Sequence, residues 1–245
     1  APMRSFRPEG QSSLAREFDP KAALDTMGQL VQTVLENGGV RKDEVSAIGL
    51  TSQRQGVVFL DHQGNELYSG PNLDLRALFE GAAMDEQAGP EIYSTTGHFP
   101  SLLLAPARLR WFRNNLPSTF EKTDALLTIG GWLHYRLTGN LMSEAALETE
   151  TGLLDVKDRR MRPSLLEKLG VPLALLPPLP AEGVPVASLD YPVAERWGLR
   201  PGTPVVLAGP DTQCGLLGMG LVGEGQAGAV AGWSGALQIL TSKPY

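Results

Sequence analysis

Residues 205–215 read Val205-Val206-Leu207-Ala208-Gly209-Pro210-Asp211-Thr212-Gln213-Cys214-Gly215. The four leading apolar residues predict a buried strand, Gly209-Pro210 a turn, and the run from Asp211 to Met219 a helix of small and apolar residues. Asp211 then stands at a helix start, where a carboxylate accepts backbone N–H groups and stabilises by about 1 kcal/mol. The same spot is the carboxyl edge of a strand, where α/β sheets bind ligands. On the residues alone, both readings stand.

An earlier junction has the same form. Val45 to Leu50 reads as a strand, and Ser52-Gln53-Arg54-Gln55-Gly56 follows it as a polar turn. A guanidinium flanked by amides offers a fork of donors suited to a polyhydroxy ligand, although an ordinary exposed turn has the same composition.

Further out, residues 1–18 are polar without a clear period. Asp19-Pro20 predicts an N-cap and first helical position, and Asn37-Gly38-Gly39 the helix stop. Val57 to Leu60 and Glu66 to Tyr68 flank His62-Gln63-Gly64-Asn65 as a hairpin. Helices are expected over 74–88, ending before Gly89-Pro90, and over 102–115, then a buried segment from Ala125 to Ile129. A helix from Trp132 to Leu137 closes at Thr138-Gly139-Asn140, and a mixed stretch runs to Asp155. The Pro-rich residues 171–204 read as an ordered surface connection with one short helix, Val193 to Gly198. Two strand-like runs, Ala227 to Ala231 and Ala236 to Thr241, end the pattern. Strands alternating with helices predict an α/β fold: a mixed sheet flanked by helices.

Composition narrows the class. With 245 residues and 42% apolar content the chain supports one large or two small cores and is not mainly disordered. Gly 28 and Pro 19 are scattered without period, which excludes collagen-like repeats and implies many short loops. A net charge of −6 with no basic run argues against nucleic-acid and anionic-membrane partners. The lone Cys214 excludes an internal disulfide framework and, with no apolar leader visible at residue 1, fits a cytoplasmic setting. His62, His98 and His134 lie too far apart for a paired-ligand motif, so no metal site is assigned. No apolar run approaches the ~18 residues of a membrane span.

Three chemical motifs fail on context. Gly218-Met219-Gly220-Leu221-Val222-Gly223 and Gly223-Glu224-Gly225-Gln226-Ala227-Gly228 both match G-x-G-x-x-G, yet they follow a helix and precede a strand. A dinucleotide site needs the reverse order and a later acid. Gly232-Trp233-Ser234-Gly235 is one residue short of a nucleophile elbow, and no Asp, Glu or His follows it. No Walker-type phosphate loop occurs.

Several segments together resemble the FGGY carbohydrate kinases, the group that includes xylulose, glycerol and gluconate kinases. Glu17-Phe18-Asp19-Pro20 resembles the family's Glu-x-Asp-Pro lead-in to its first helix, and Ile48 to Gly56 its strand and sugar-binding turn. Asp74-x-Arg76 matches the end of Trp-Asn-Asp-x-Arg, with Asn72 and Leu73 in the Trp and Asn places. Arg108 to Trp111 resembles Lys-x-x-Trp, with Arg in the Lys place. Gly209 to Gly215, followed by Gly218-Met219-Gly220, resembles Gly-Gly-Asp-Gln/Asn-x-x-Gly.

The resemblance implies an RNase H-like domain of the actin/hexokinase ATPase type. It also implies ATP-dependent phosphorylation of a sugar or polyol, with Mg²⁺ in the full-length protein. Asp211 would be the general base, and Gln53, Arg54, Gln55, Asp74 and Thr212 would bind the sugar. Gly232, Trp233, Ser234 and Gly235 fall where the family holds ATP phosphates, with Trp233 in place of a Thr. Residues 1–245 would be most of the first domain, lacking its opening hairpin and the second, ATP-binding domain, and inactive in isolation. The expected partner is a small sugar or polyol, with a homodimer left open. A non-catalytic sugar- or partner-binding member is the alternative, since Trp233, Arg108 and Asn72-Leu73 depart from the family pattern.

Overall fold

The computed structural model describes residues 4–180, 184, 186–231 and 235–244. Two short strands, β1 (Ser5–Phe6) and β2 (Glu17–Phe18), pair antiparallel where the sequence showed no period. Helix α1 (Pro20–Gly38) has the predicted caps: Asp19 Oδ1 accepts the Ala22 N–H at 3.0 Å, and Gly39 closes it at φ 61°. Strand β3 (Ile48–Ser52) is followed by the expected hairpin of β4 (Val57–Leu60) and β5 (Glu66–Gly70).

Helix α2 (Leu78–Thr96) corrects the expected stop before Gly89-Pro90, because it runs through Pro90. Proline there removes one backbone hydrogen bond. The buried residues Ala88, Ile92, Thr95 and Thr96 hold the last turns in place, and Gly97 at φ 73° ends them. A single 3-10 turn at Ser101–Leu103 leads into α3 (Ala105–Asn115). Helix α4 (Pro117–Lys122), which was not expected, comes before β6 (Ala125–Thr128) and α5 (Ile129–Thr138).

The stretch read as mixed contains α6 (Ala145–Thr149) and β7 (Leu154–Asp155); beyond it β8 (Arg160–Met161) pairs with β7, and α7 (Pro163–Leu169) follows. The Pro-rich connection carries β9 (Val186–Ser188) as well as α8 (Tyr191–Trp197). Then come β10 (Pro204–Pro210), α9 (Asp211–Gly218), β11 (Ala227–Ala231) and β12 (Gly235–Ile239).

Strand β10 is central in one sheet, parallel to β3 and antiparallel to β9, which makes the sheet mixed as expected. In the other three-stranded sheet β4 lies between β5 and β6. Side chains alternate along a strand, and β4 is buried on both faces. Val58 and Leu60 enter one core with Leu50, Val205, Leu207, Trp132 and Trp197. Val57 and Phe59 enter a second core with Met84, Ile92, Leu109, Phe112 and Leu165. The domain is therefore layered: α1, α5 and α8 contribute to the first core and α2, α3 and α7 to the second. Among the described residues no helix is long and apolar enough to cross a membrane.

Candidate functional site

The two parallel strands finish side by side. Thr51 is in register with Gly209 and Ser52 with Pro210, and Thr51 Oγ1 donates to the Gly209 carbonyl at 2.9 Å. The register shifts between Leu207 and Gly209, and Gly209 adopts φ 121°, a conformation that L side chains rarely reach. This irregularity turns the chain out of the sheet at Pro210, so Gln53 and Asp211 leave the same sheet edge together.

Asp211 is exposed at the start of α9, where its Oδ1 accepts the Thr212 N–H at 2.8 Å. Thr212 Oγ1 donates to Gln213 Oε1 at 2.7 Å and accepts from Gln238 Nε2 of β12 at 3.3 Å. Gln213 Nε2 in turn donates to Glu150 Oε1 at 3.0 Å.

The other turn is held from beneath. Gln55 has φ 62°, an uncommon conformation for a residue with a side chain, and its carbonyl accepts from Arg108 Nη1 at 2.7 Å. Arg108 is fully buried, and its Nη2 reaches the Asp74 carbonyl at 3.3 Å. Gln53 Oε1 accepts the Asn72 N–H at 3.4 Å. Arg54 points toward Glu150, with Nη1 4.0 Å from Oε1.

Asp74 is linked to this turn through Arg108. It is wholly buried, and its Oδ1 accepts the Arg16 N–H at 3.0 Å. Its Oδ2 accepts from Arg76 Nε at 2.7 Å and from the Tyr68 hydroxyl. Arg76 also binds Glu17 at 2.7 Å and lies 4.8 Å from the Tyr68 ring centre. Both carboxylate oxygens thus take part in an internal network. Gly232, Trp233 and Ser234 lie outside the described residues; Gly235 opens β12 opposite Ala231.

Two neighbours of the site were missed in the sequence. Glu150, buried at the end of α6, joins Gln213 and Arg54, and its Oε2 lies 4.0 Å from His98 Nε2. Burial holds the His98 imidazole below its ordinary pKa, with Glu150 opposing and Arg54 reinforcing that effect. Next to them Glu148 is completely buried, and burial pushes its carboxyl up to about 7 against the opposing pull of the Ser143 hydroxyl. The available signal was Glu144, Glu148 and Glu150 set in a run of small and apolar residues, where a carboxylate must find partners or stay protonated. Among the described residues no cluster of three or more His, Cys, Asp and Glu could hold a metal ion.

The exposed carboxylate and the polar turn sit at the carboxyl ends of parallel strands, the edge at which open α/β sheets bind ligands. Residues 4–218 match the FGGY family of carbohydrate kinases, N-terminal domain, and the chain belongs to that family. It is 30% identical over 220 residues to an autoinducer-2 kinase of Klebsiella pneumoniae, a match covering 88% of this chain and 41% of that protein. The chain thus spans about two fifths of the curated relatives it matches. Its fold is that of the FGGY sugar kinases, of the actin/hexokinase ATPase type. The xylulose kinase from Rhodospirillum rubrum superposes with a TM-score of 0.88 at 21% identity, covering 99% of this chain and 50% of that one. Ligand-bound xylulose kinase from Lactobacillus acidophilus gives a TM-score of 0.87 at 20% identity, over 98% and 49%.

Proposed function

We propose that this chain is the sugar-binding part of an ATP-dependent carbohydrate kinase, with Asp211 as the general base. The observation that carries the reading is the position of Asp211: its carboxylate is exposed at the end of β10, next to the strand whose turn presents Gln53, Arg54 and Gln55. A sugar hydroxyl bound between them donates its hydrogen bond to Asp211. As the hydroxyl oxygen bonds to the γ-phosphorus of ATP, the bond to the ADP oxygen breaks and the proton passes to the carboxylate. Phosphoryl transfer asks mainly for positioning and charge stabilisation, so a carboxylate that orients the nucleophile and takes its proton late is sufficient.

Arg54, Gln53, Gln55 and Thr212 supply donors and acceptors for the remaining hydroxyls. The β11–β12 tip, with Gly235 on its far strand, is the proposed phosphate loop. Among the described residues no cluster of three ligands could hold Mg²⁺. Asp74 is assigned to the scaffold.

The test is a panel of neutral polyols and ketoses with Mg-ATP, using the full-length protein that carries this chain. Phosphorylation of at least one member supports the reading; retained sugar binding without turnover favours the non-catalytic alternative that Trp233 motivates. Residues 1–245 alone are expected to give no sugar-dependent ATP turnover.

A further inference from the structure

Arg108 of α3 is fully buried, and among the described residues no carboxylate pairs with it: Asp74 and Glu17 are held by Arg76, and Glu150 lies toward Arg54. Its Nη1 donates to the Gln55 carbonyl at 2.7 Å and its Nη2 to the Asp74 carbonyl at 3.3 Å. Its Nε is sealed from solvent without a partner. A buried guanidinium answered only by neutral carbonyls is costly. The core does not ask for it, since Leu109 and Phe112 of the same helix pack there as apolar side chains.

A second cost falls on the same peptide. Gln55 stands at φ 62°, where a glycine would fit without steric penalty. Gly56 after it has no room for a side chain, because a Cβ would meet Ile129 Cδ1 at 2.4 Å. Its carbonyl accepts the Ile129 N–H at 3.2 Å. At the other end Gln53 Oε1 accepts the Asn72 N–H at 3.4 Å. Neighbouring elements thus fix the ends of the turn, Arg108 fixes its middle, and Gln53, Arg54 and Gln55 keep partial exposure. Backbone strain and an unpaired buried charge that converge on one turn are kept where function needs its shape.

We propose that Arg108 is a positioning residue for the sugar: it clasps the Gln55 carbonyl to the Asp74 carbonyl and so holds the Gln53-Arg54-Gln55 turn in its binding shape before a sugar arrives. This rests on the sugar-kinase reading above and assigns part of the affinity of that site to a residue that touches no ligand. A turn already in shape spares the sugar the cost of ordering it. The clasp therefore acts on binding and leaves the transfer step at Asp211 unchanged. Lysine cannot replace it in full, since one ammonium has the charge but lacks the planar fork that spans two carbonyls.

The experiment measures sugar Kd, KM and kcat of the full-length protein alongside its urea midpoint, with xylulose and glycerol among the panel above as probes. Arg108→Met is expected to raise Kd and KM by about tenfold or more and to leave kcat within about threefold. Arg108→Lys is expected to fall between it and the unaltered protein, and carries the test should Arg108→Met fold poorly. Gln55→Gly supplies the specific readout, because glycine takes the left-handed conformation unaided and removes the side chain that the clasp presents. In that background Arg108→Met is expected to raise KM by a factor about threefold smaller, the non-additivity of residues that act together. An unchanged KM in a folded Arg108 variant whose urea midpoint alone has dropped makes Arg108 a packing residue and overturns the proposal, while the kinase reading stands. Effects of Arg108→Met and Gln55→Gly that simply multiply do the same. Sugar binding without turnover in the unaltered protein overturns the kinase reading, and the Kd ratios still decide the clasp. A panel in which no sugar binds overturns both.

Discussion

Gln213 donates from Nε2 to Glu150 Oε1 at 3.0 Å, and that bond ties the helix bearing Asp211 to the buried carboxylate facing Arg54. The turn after β3 and the start of α9 are therefore not independent loops. Their strands are hydrogen-bonded in parallel register, and Glu150 Oε1, which accepts from Gln213, lies 4.0 Å from Arg54 Nη1. A ligand held by one turn is positioned relative to the other without a further ordering cost, the condition under which orientation contributes to rate.

Asp74 supports this arrangement from inside. Its side chain and that of Arg76 are fully buried and paired; without Asp74 the guanidinium keeps only Glu17, and the buried Tyr68 hydroxyl and the Arg16 N–H lose their acceptor. Asp74→Ala is expected to lose about 3–5 kcal/mol of stability by urea unfolding. Below its melting transition the variant should keep its sugar KM. A large KM increase with stability unchanged would return Asp74 to the ligand site.

Glu148 gives a pH signature. Its carboxyl rises from 4.5 to about 7 through burial, so the native state holds a proton that the unfolded chain has lost. Stability from this group is present below about pH 4.5, falls as pH rises toward 7, and is level above that. The full loss is on the order of 3 kcal/mol. Glu148→Gln should remove this slope. Urea midpoints from pH 4.5 to 8 are expected to converge at the acid end and to favour the variant at the alkaline end; parallel curves would refute the assignment.

Much of this was legible from local chemistry. Asp19, Gly39, the β4–β5 hairpin, and the strand and helix meeting at Pro210 each carry their own cap, turn or period. The stop before Pro90 misled because burial along α2 outweighs one lost hydrogen bond. For Asp74 the pattern resembled a ligand residue, but only the fold shows Tyr68, Arg16 and Arg76 closing around it. Glu150 and His98 are 52 positions apart, and nothing local announces that they meet.

Gly81 sets the approach of α2 to the turn at Ser101–Leu103. A Cβ there would stand 2.3 Å from Leu102 Cα, so backbone must move. Gly81→Ala is expected to lose roughly 2 kcal/mol, or about 4–8 °C in Tm. An unchanged Tm would show that the contact is looser than described.

The most direct measurement is on Asp211→Asn in the full-length protein, with sugar affinity and Mg-ATP turnover determined separately. The amide keeps the shape and cannot take the hydroxyl proton. Sugar Kd is expected to change little, while kcat falls by about 10²–10⁴. A variant that phosphorylates sugar at a rate close to that of the unaltered protein would contradict the assignment of Asp211 as the base.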